Sequence, residues 1–145
     1  MPDFPSDAAW MNGARTKAQL LGRPTLVHFW TAGCHMSEAA LPLVNEWSRT
    51  YGDDARTSNP LQAIGVHLPR GTSDAARERA ASQGLKHPIL LDDGREAAAA
   101  FGCACAPAYY LFDPEGRLRH RQVGERGLGL LERRIHTLVF PKGTI

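Results

Sequence analysis

Hydrophobic positions along the chain fall into short runs that alternate with segments of helical period. Thr25-Leu-Val-His-Phe-Trp30 is rich in β-branched and aromatic side chains and reads as a buried strand. A helix follows from about Cys34 to Thr50, its apolar stripe of Met36, Ala40, Leu43 and Trp47 spaced by four, three and four. Pro42 lies inside that helix. Lacking an N–H and crowding the preceding turn, it predicts a bend near Glu38, not an end, because the stripe stays in phase on both sides. Ala63 to Leu68 is a second strand, and Thr72 or Ser73 caps a helix closed by Gly84. Pro88 to Leu91 is a third strand, and a short helix from Arg95 to Phe101 ends at Gly102. Tyr109 to Phe112, the turn Asp113-Pro-Glu-Gly116 and Arg117 to Val123 make a hairpin, since Pro second and Gly fourth suit a type I turn. Leu128, Leu131, Ile135 and Leu138 mark one face of a closing helix. Strands alternating with helices predict an α/β layer fold.

With 145 residues, 43% hydrophobic and 22% charged, the chain holds one domain and one core, expected over 1–145. Its apolar runs are far shorter than the ~20 residues needed to cross a bilayer. The N-terminal segment, with Asp3 and Asp7 around Pro2 and Pro5, lacks the basic and apolar parts of a signal peptide. A cytoplasmic protein with no membrane partner is therefore expected. The net charge of +2 gives no field that would favour nucleic acid. A local bias exists: Arg117, Arg119, Arg121, Arg126, Arg133, Arg134 and Lys142 stand against Glu125 and Glu132, which reads as a solvated basic face in preference to a polyanion site. Three cysteines are too few for a disulfide scaffold, and an odd count leaves one for other work.

Cys34 comes just after the first strand, where the chain turns into a helix. A sulfur there faces unpaired N–H groups and the positive end of the helix dipole, which favour thiolate over thiol. A reactive cysteine is expected at such a place; the ordinary alternative is a small buried hydrophobe.

The segment Pro24-Thr-Leu-Val-His-Phe-Trp-Thr-Ala-Gly-Cys34-His-Met-Ser37, with Pro42 eight residues after the cysteine, resembles the thioredoxin superfamily. That family carries Phe-Trp at the end of its strand, then Cys-x-x-Cys, and a helix proline at the same offset. Trp10-Met-Asn12, Leu20 to Pro24, Gly65-Val-His67, His87-Pro88 and Ala106-Pro107 through Gly116 to Val123-Gly-Glu125 extend the resemblance over about residues 9 to 140. They look like the bacterial thiol–disulfide oxidoreductase branch, and within it the thioredoxin-like domains fused to NHL repeats or to membrane electron-transfer modules. The implied fold is a three-layer α/β sandwich, a mixed central sheet flanked by helices. The implied activity is thiol–disulfide exchange on protein or low-molecular-weight substrates; no cofactor and no oligomeric state is implied.

Ser37 departs from the family at the resolving cysteine. A serine three residues along a helix shares a side with Cys34 and can donate a hydrogen bond to its thiolate, but it cannot form a disulfide. A mixed disulfide or sulfenate on Cys34 then waits for another thiol. Pro107 matches the family's cis-proline, whose loop faces the active cysteine and pairs with substrate backbone. Cys105, two residues before it, is expected on the rim of the site as a candidate resolving thiol; Cys103, in an apolar position, is expected buried and inert. In extended chain the two would lie about 6.5–7 Å apart, beyond easy bridging without a bend.

His35 matches the histidine that several dithiol oxidoreductases of this fold carry between their cysteines, where it favours the thiolate. His28 occupies the strand position of the family's buried carboxylate, which implies a proton acceptor; the alternative is a core histidine satisfied by a backbone carbonyl. His67 and His87 match landmarks without a role and are taken as structural. A copper-binding branch of the superfamily uses Cys-x-x-x-Cys, which is absent here, and no metal is expected. Two readings stand beside the oxidoreductase. Thr31 precedes Cys34 by three residues as in peroxiredoxins, although Val27 replaces the proline that opens their motif. Alternatively, a binding module keeps the fold and displays a groove without turnover.

Overall fold

Why the strand Thr25–Trp30 sits at the centre is visible in its burial: all six side chains are inaccessible. The computed structural model describes residues 1–53, 55–69, 73–103 and 105–141. The elements run β1 (Ala9–Met11), α1 (Lys17–Leu20), β2 (Thr25–Trp30), α2 (His35–Ala39), α3 (Leu41–Thr50), β3 (Gln62–His67), α4 (Ser73–Ser82), β4 (Ile89–Leu91), α5 (Glu96–Phe101), β5 (Ala108–Phe112), β6 (Leu118–Val123) and α6 (Leu128–Val139). The cap expected at Thr72 or the Ser73 side chain, and Lys142, lie outside the described residues.

The strands form one sheet in the order β1-β4-β3-β2-β5-β6. β2, β3 and β4 are parallel, while β1, β5 and β6 pair antiparallel to their neighbours. Because successive side chains leave opposite faces, β2 feeds two cores at once. Val27 and Phe29 pack with Leu20 of α1 and with Ala97, Ala98 and Phe101 of α5. Leu26 packs with Val44 and Trp47 of α3 and Leu131 and Ile135 of α6, and Trp30 packs with Ala76 and Ala80 of α4. The result is the expected mixed sheet between helical layers. Phe101, Phe29 and Tyr110 meet edge to face at 5.5 Å, contacts worth ~0.5–1.5 kcal/mol each beyond their burial.

Two elements were not expected. β1 is three residues long, too short to show a period, and exists by pairing Trp10 with Leu90. α1 carries a capping box that Thr16-Lys-Ala-Gln19 spells out: the Thr16 hydroxyl accepts from Gln19 N–H, and Gln19 Oε1 accepts from Thr16 N–H. The helix expected to bend near Glu38 and continue is instead divided at Ala40, which keeps right-handed dihedrals (φ −87°, ψ −12°) between α2 and α3. Pro42 sits in the first turn of α3, where an N–H is not needed. Met36 is 45% exposed and leaves the stripe; the buried positions are Ser37, Ala40, Leu41, Val44 and Trp47.

The turn after β5 is built on Asp113. Its carboxylate accepts from the N–H groups of Glu115 and Arg117 and from Arg119, and Gly116 (φ +81°) completes the reversal with its N–H on the Asp113 carbonyl. Arg117 and Arg119 pair with Asp113 and thin out the basic face.

Candidate active site

Cys34 is the N-cap of α2, at the end of a three-residue loop that leaves β2 at Trp30. Each N–H of that loop ends on a side chain from a different part of the site. Thr31 N–H donates to Ser37 Oγ at 2.8 Å, Ala32 N–H to His67 Nε2 at 3.0 Å, and Gly33 N–H to Glu38 Oε2 at 2.5 Å. Glu38 is held in turn by Arg79 of α4, whose Nε lies 2.6 Å from Oε1. Gly33 has φ +86°, a conformation in which a side chain would be strained. The loop is thus fixed, and Cys34 is presented half-buried. Its side chain makes no capping bond to α2, which leaves the sulfur uncommitted to the helix. Since α2 has only five residues, the field at its N-terminus comes from the first turn's N–H groups.

Ser37 is 1% exposed, and its hydroxyl oxygen serves Thr31. The expected hydrogen bond to Cys34 is not made among the described residues; the Ser37 hydroxyl is turned to Thr31 N–H instead. His35 follows Cys34 and is exposed.

His28 is fully buried, and its partner is neither a carboxylate nor a backbone carbonyl. Its Nε2 lies 2.8 Å from Nε2 of His87, one ring donating and the other accepting. Burial, with the His87 ring adding to it, pushes His28 well below the ordinary imidazole range. Burial takes His87 down to about 4. A pair held neutral this way is a weak proton acceptor. Gly65 makes room for it: a Cβ there would lie 3.0 Å from His28 Nε2. His67, taken as structural from the sequence, is a loop-positioning residue. Its Nε2 accepts from Ala32, so the ring proton sits on Nδ1, and burial lowers its affinity for a second proton, with Asp93 opposing weakly.

The Ala106–Pro107 peptide bond is cis. Phe29 pairs with Ala108, so Pro107 flanks Trp30 at the same end of the sheet as Cys34. Cys105 is exposed and Cys103 buried; neither is bridged. Burial raises the Cys103 thiol, an effect only partly offset by a backbone hydrogen bond from Cys105 and by Tyr110 and Arg121. Grooves lined by Gly33, Glu38 and Arg79, and on one side by His35 and Pro42, open beside Cys34. A separate cleft lined by Arg15, Arg23, Lys86 and His87 lies at the opposite end of β2. Among the described residues no three His, Cys, Asp or Glu side chains gather as metal ligands, and no helix is long and apolar enough to cross a membrane.

Glu38, Arg79 and His67 were missed in the sequence. Glu38 and Arg79 lie 41 residues apart and look like ordinary helix-surface charges. Only His67 left a trace, as an imidazole ending a buried strand.

The profile described as "AhpC/TSA family" matches residues 1–121. Thiol-disulfide oxidoreductase YkuV of Bacillus subtilis (strain 168) is 38% identical over 144 residues, covering 96% of this chain and 93% of YkuV. Protein DipZ of Mycobacterium bovis is 29% identical over 146 residues, covering 95% of this chain and 20% of DipZ. The solution structure of a thioredoxin-like protein in its oxidized form superposes with a TM-score of 0.80 at 37% identity, covering 92% of this chain and 89% of that one.

Proposed function

The chain belongs to the AhpC/TSA family, and from that premise we propose that it is a thiol–disulfide oxidoreductase working through the single thiol of Cys34. The observation that carries this reading is the clamped loop: three consecutive N–H groups are fixed by Ser37, His67 and Glu38, and the residue they deliver to a helix N-terminus is a half-buried cysteine. Positioning of this kind suits a nucleophile that must meet a disulfide in line. The thiolate attacks one sulfur of a protein or low-molecular-weight disulfide, a mixed disulfide forms on Cys34, and the other half leaves as a thiolate. His35 is exposed beside Cys34, and the Pro107 loop borders the place where substrate backbone would lie. YkuV supports the assignment by its name and by its coverage of nearly the whole chain.

Peroxide reduction is less favoured, because the Thr31 hydroxyl already donates to the Leu68 carbonyl at 3.0 Å. A capture module is the remaining alternative, and it follows from Ser37. We also propose a cytoplasmic setting, supported by three unbridged thiols.

The test is mass spectrometry after glutathione disulfide, joined to insulin reduction with dithiothreitol. Cys34 should carry the first adduct, Cys103 should lag at least about tenfold because its thiol is raised and buried, and Cys34→Ala should slow insulin turnover at least about tenfold. An adduct-free Cys34 sinks the reading; adducts that persist without turnover support capture.

A further inference from the structure

Cys103 and Cys105 form a second thiol cluster that the Cys34 chemistry leaves unused. We propose that they are the resolving dithiol, closing as a Cys103–Cys105 disulfide that frees Cys34 for another cycle. The inference rests on the oxidoreductase reading above and deepens it.

Ser37 denies Cys34 a partner on its own helix, so release of a captured substrate half needs a thiol from elsewhere. The register supplies one. Phe29 pairs with Ala108, Pro107 therefore flanks Trp30, and the exposed Cys105 precedes Pro107 by two residues at the end of the sheet that presents Cys34. Cys103 is placed to finish the exchange. Extended chain would hold the two cysteines about 6.5–7 Å apart and unable to bridge easily. Instead the backbone bends at Cys105, Ala106 and Pro107, and the Cys103 thiol donates to the Cys105 carbonyl at 3.2 Å. That contact sets the Cys103 sulfur against the backbone of Cys105 itself, and a disulfide between the two needs a Cα separation of roughly 4.4–6.8 Å.

The cluster also has its own cation. Arg121 of β6 donates from Nε to the Tyr110 hydroxyl at 3.3 Å, with its guanidinium carbon 5.6 Å from the ring centre. Tyr110 and then both thiols hold this guanidinium in its charged form. For Cys103, burial is the larger influence and disfavours the thiolate, while the Tyr110 hydroxyl and Arg121 act the other way. The exposed sulfur is thus the first attacker and the buried one the second.

The electrons balance as follows. Cys105 thiolate attacks Cys34 Sγ of the mixed disulfide, forming Cys34–Cys105 and expelling the second substrate half as a thiolate. Cys103, giving up its proton to solvent, attacks Cys105 Sγ, forming Cys103–Cys105 and returning Cys34 as thiolate. One substrate disulfide is reduced to two thiols while the dithiol is oxidised, and a small-molecule thiol such as dithiothreitol or glutathione reduces it again.

Two measurements test this. Cys34→Ala protein, with only Cys103 and Cys105, is exposed to excess glutathione disulfide and weighed intact without reductant. The expected product has lost two hydrogens, carries no added mass and yields a peptide linking Cys103 to Cys105; separate glutathione adducts or unmodified thiols overturn the proposal. In single turnover of a model peptide disulfide quenched with acid, wild type releases both halves, whereas Cys105→Ser retains the second half on Cys34 about tenfold longer. Equal release overturns the proposal. Cys103→Ala should accumulate the Cys34–Cys105 species, and because Cys105 is exposed, Cys105→Ser keeps the test decisive if the Cys103 variant fails to fold. Should Cys105→Ser never form an adduct at Cys34, the Cys34 reading fails, while the Cys34→Ala measurement still decides the dithiol on its own.

Discussion

Ser37 shows how a side chain can matter to a site without touching the chemistry. Its hydroxyl accepts from Thr31 N–H inside a pocket that leaves the serine 1% exposed, so removing it orphans a backbone donor. Such a donor costs ~1–2 kcal/mol in a protein of this size, a fall in Tm of roughly 3–6 °C. Ser37→Ala should show that fall by calorimetry and should broaden the rates at which Cys34 is alkylated; an unchanged Tm would mean the loop does not depend on this bond. The cysteine itself was legible from residue type and place alone, a thiol where a buried strand becomes a helix. The clamp was not, because Glu38, Arg79 and His67 meet the loop only after helices and strands have packed.

Turns and helix breaks were the most readable elements, since their chemistry is local. Asp113-Pro-Glu-Gly116 specified the β5–β6 reversal, and the structure shows why. Burial alone would raise the Asp113 carboxyl, but N–H groups of Arg117 and Glu115 and the charges of Arg119 and Arg117 outweigh it and bring it below the ordinary range. Asp113→Ala should therefore cost ~1–3 kcal/mol in urea unfolding at pH 7. A depressed carboxyl stabilises above its unfolded value of 3.8 and loses that effect as pH falls through the folded value. The difference between wild type and Asp113→Ala should accordingly narrow in acid; a constant difference would point to packing instead. Pro42 read from sequence as a bend within one helix, but the chain divides at Ala40, leaving α2 five residues long with Met36 outward. β1 escaped notice because three residues carry no period, and its identity comes from the edge of β4.

At the scale of the whole molecule, three buried imidazoles sit on one side of the sheet or at its end. His28 and His87 share one hydrogen bond, and His67 accepts from Ala32. All three are shifted downward from 6.5, chiefly by burial. Each stabilises the fold as a neutral ring, so the contribution is complete above pH 6.5 and is lost as pH falls through the folded values. For His87, whose folded value is about 4, the loss between those limits is ~3 kcal/mol. Stability measured against urea should be flat above pH 7 and fall between about pH 6 and 4, and His87→Gln should flatten part of that slope. A profile without that slope would refute the buried neutral pair.

Local chemistry wrote much of this protein into its sequence. The apolar run of β2, the Asp-Pro-Glu-Gly turn and the lone thiol before a helix depend on neighbours within a few residues, and periodicity or residue type reports them directly. Assembly decided the rest. The sheet order, the neutral His28–His87 pair, the clamp on the loop 31–33 and the Cys103 thiol's bond to the Cys105 carbonyl join segments or conformations that no local pattern encodes. Burial and hydrogen bonding there are created by packing, so what these side chains do became visible only when the layers closed around them.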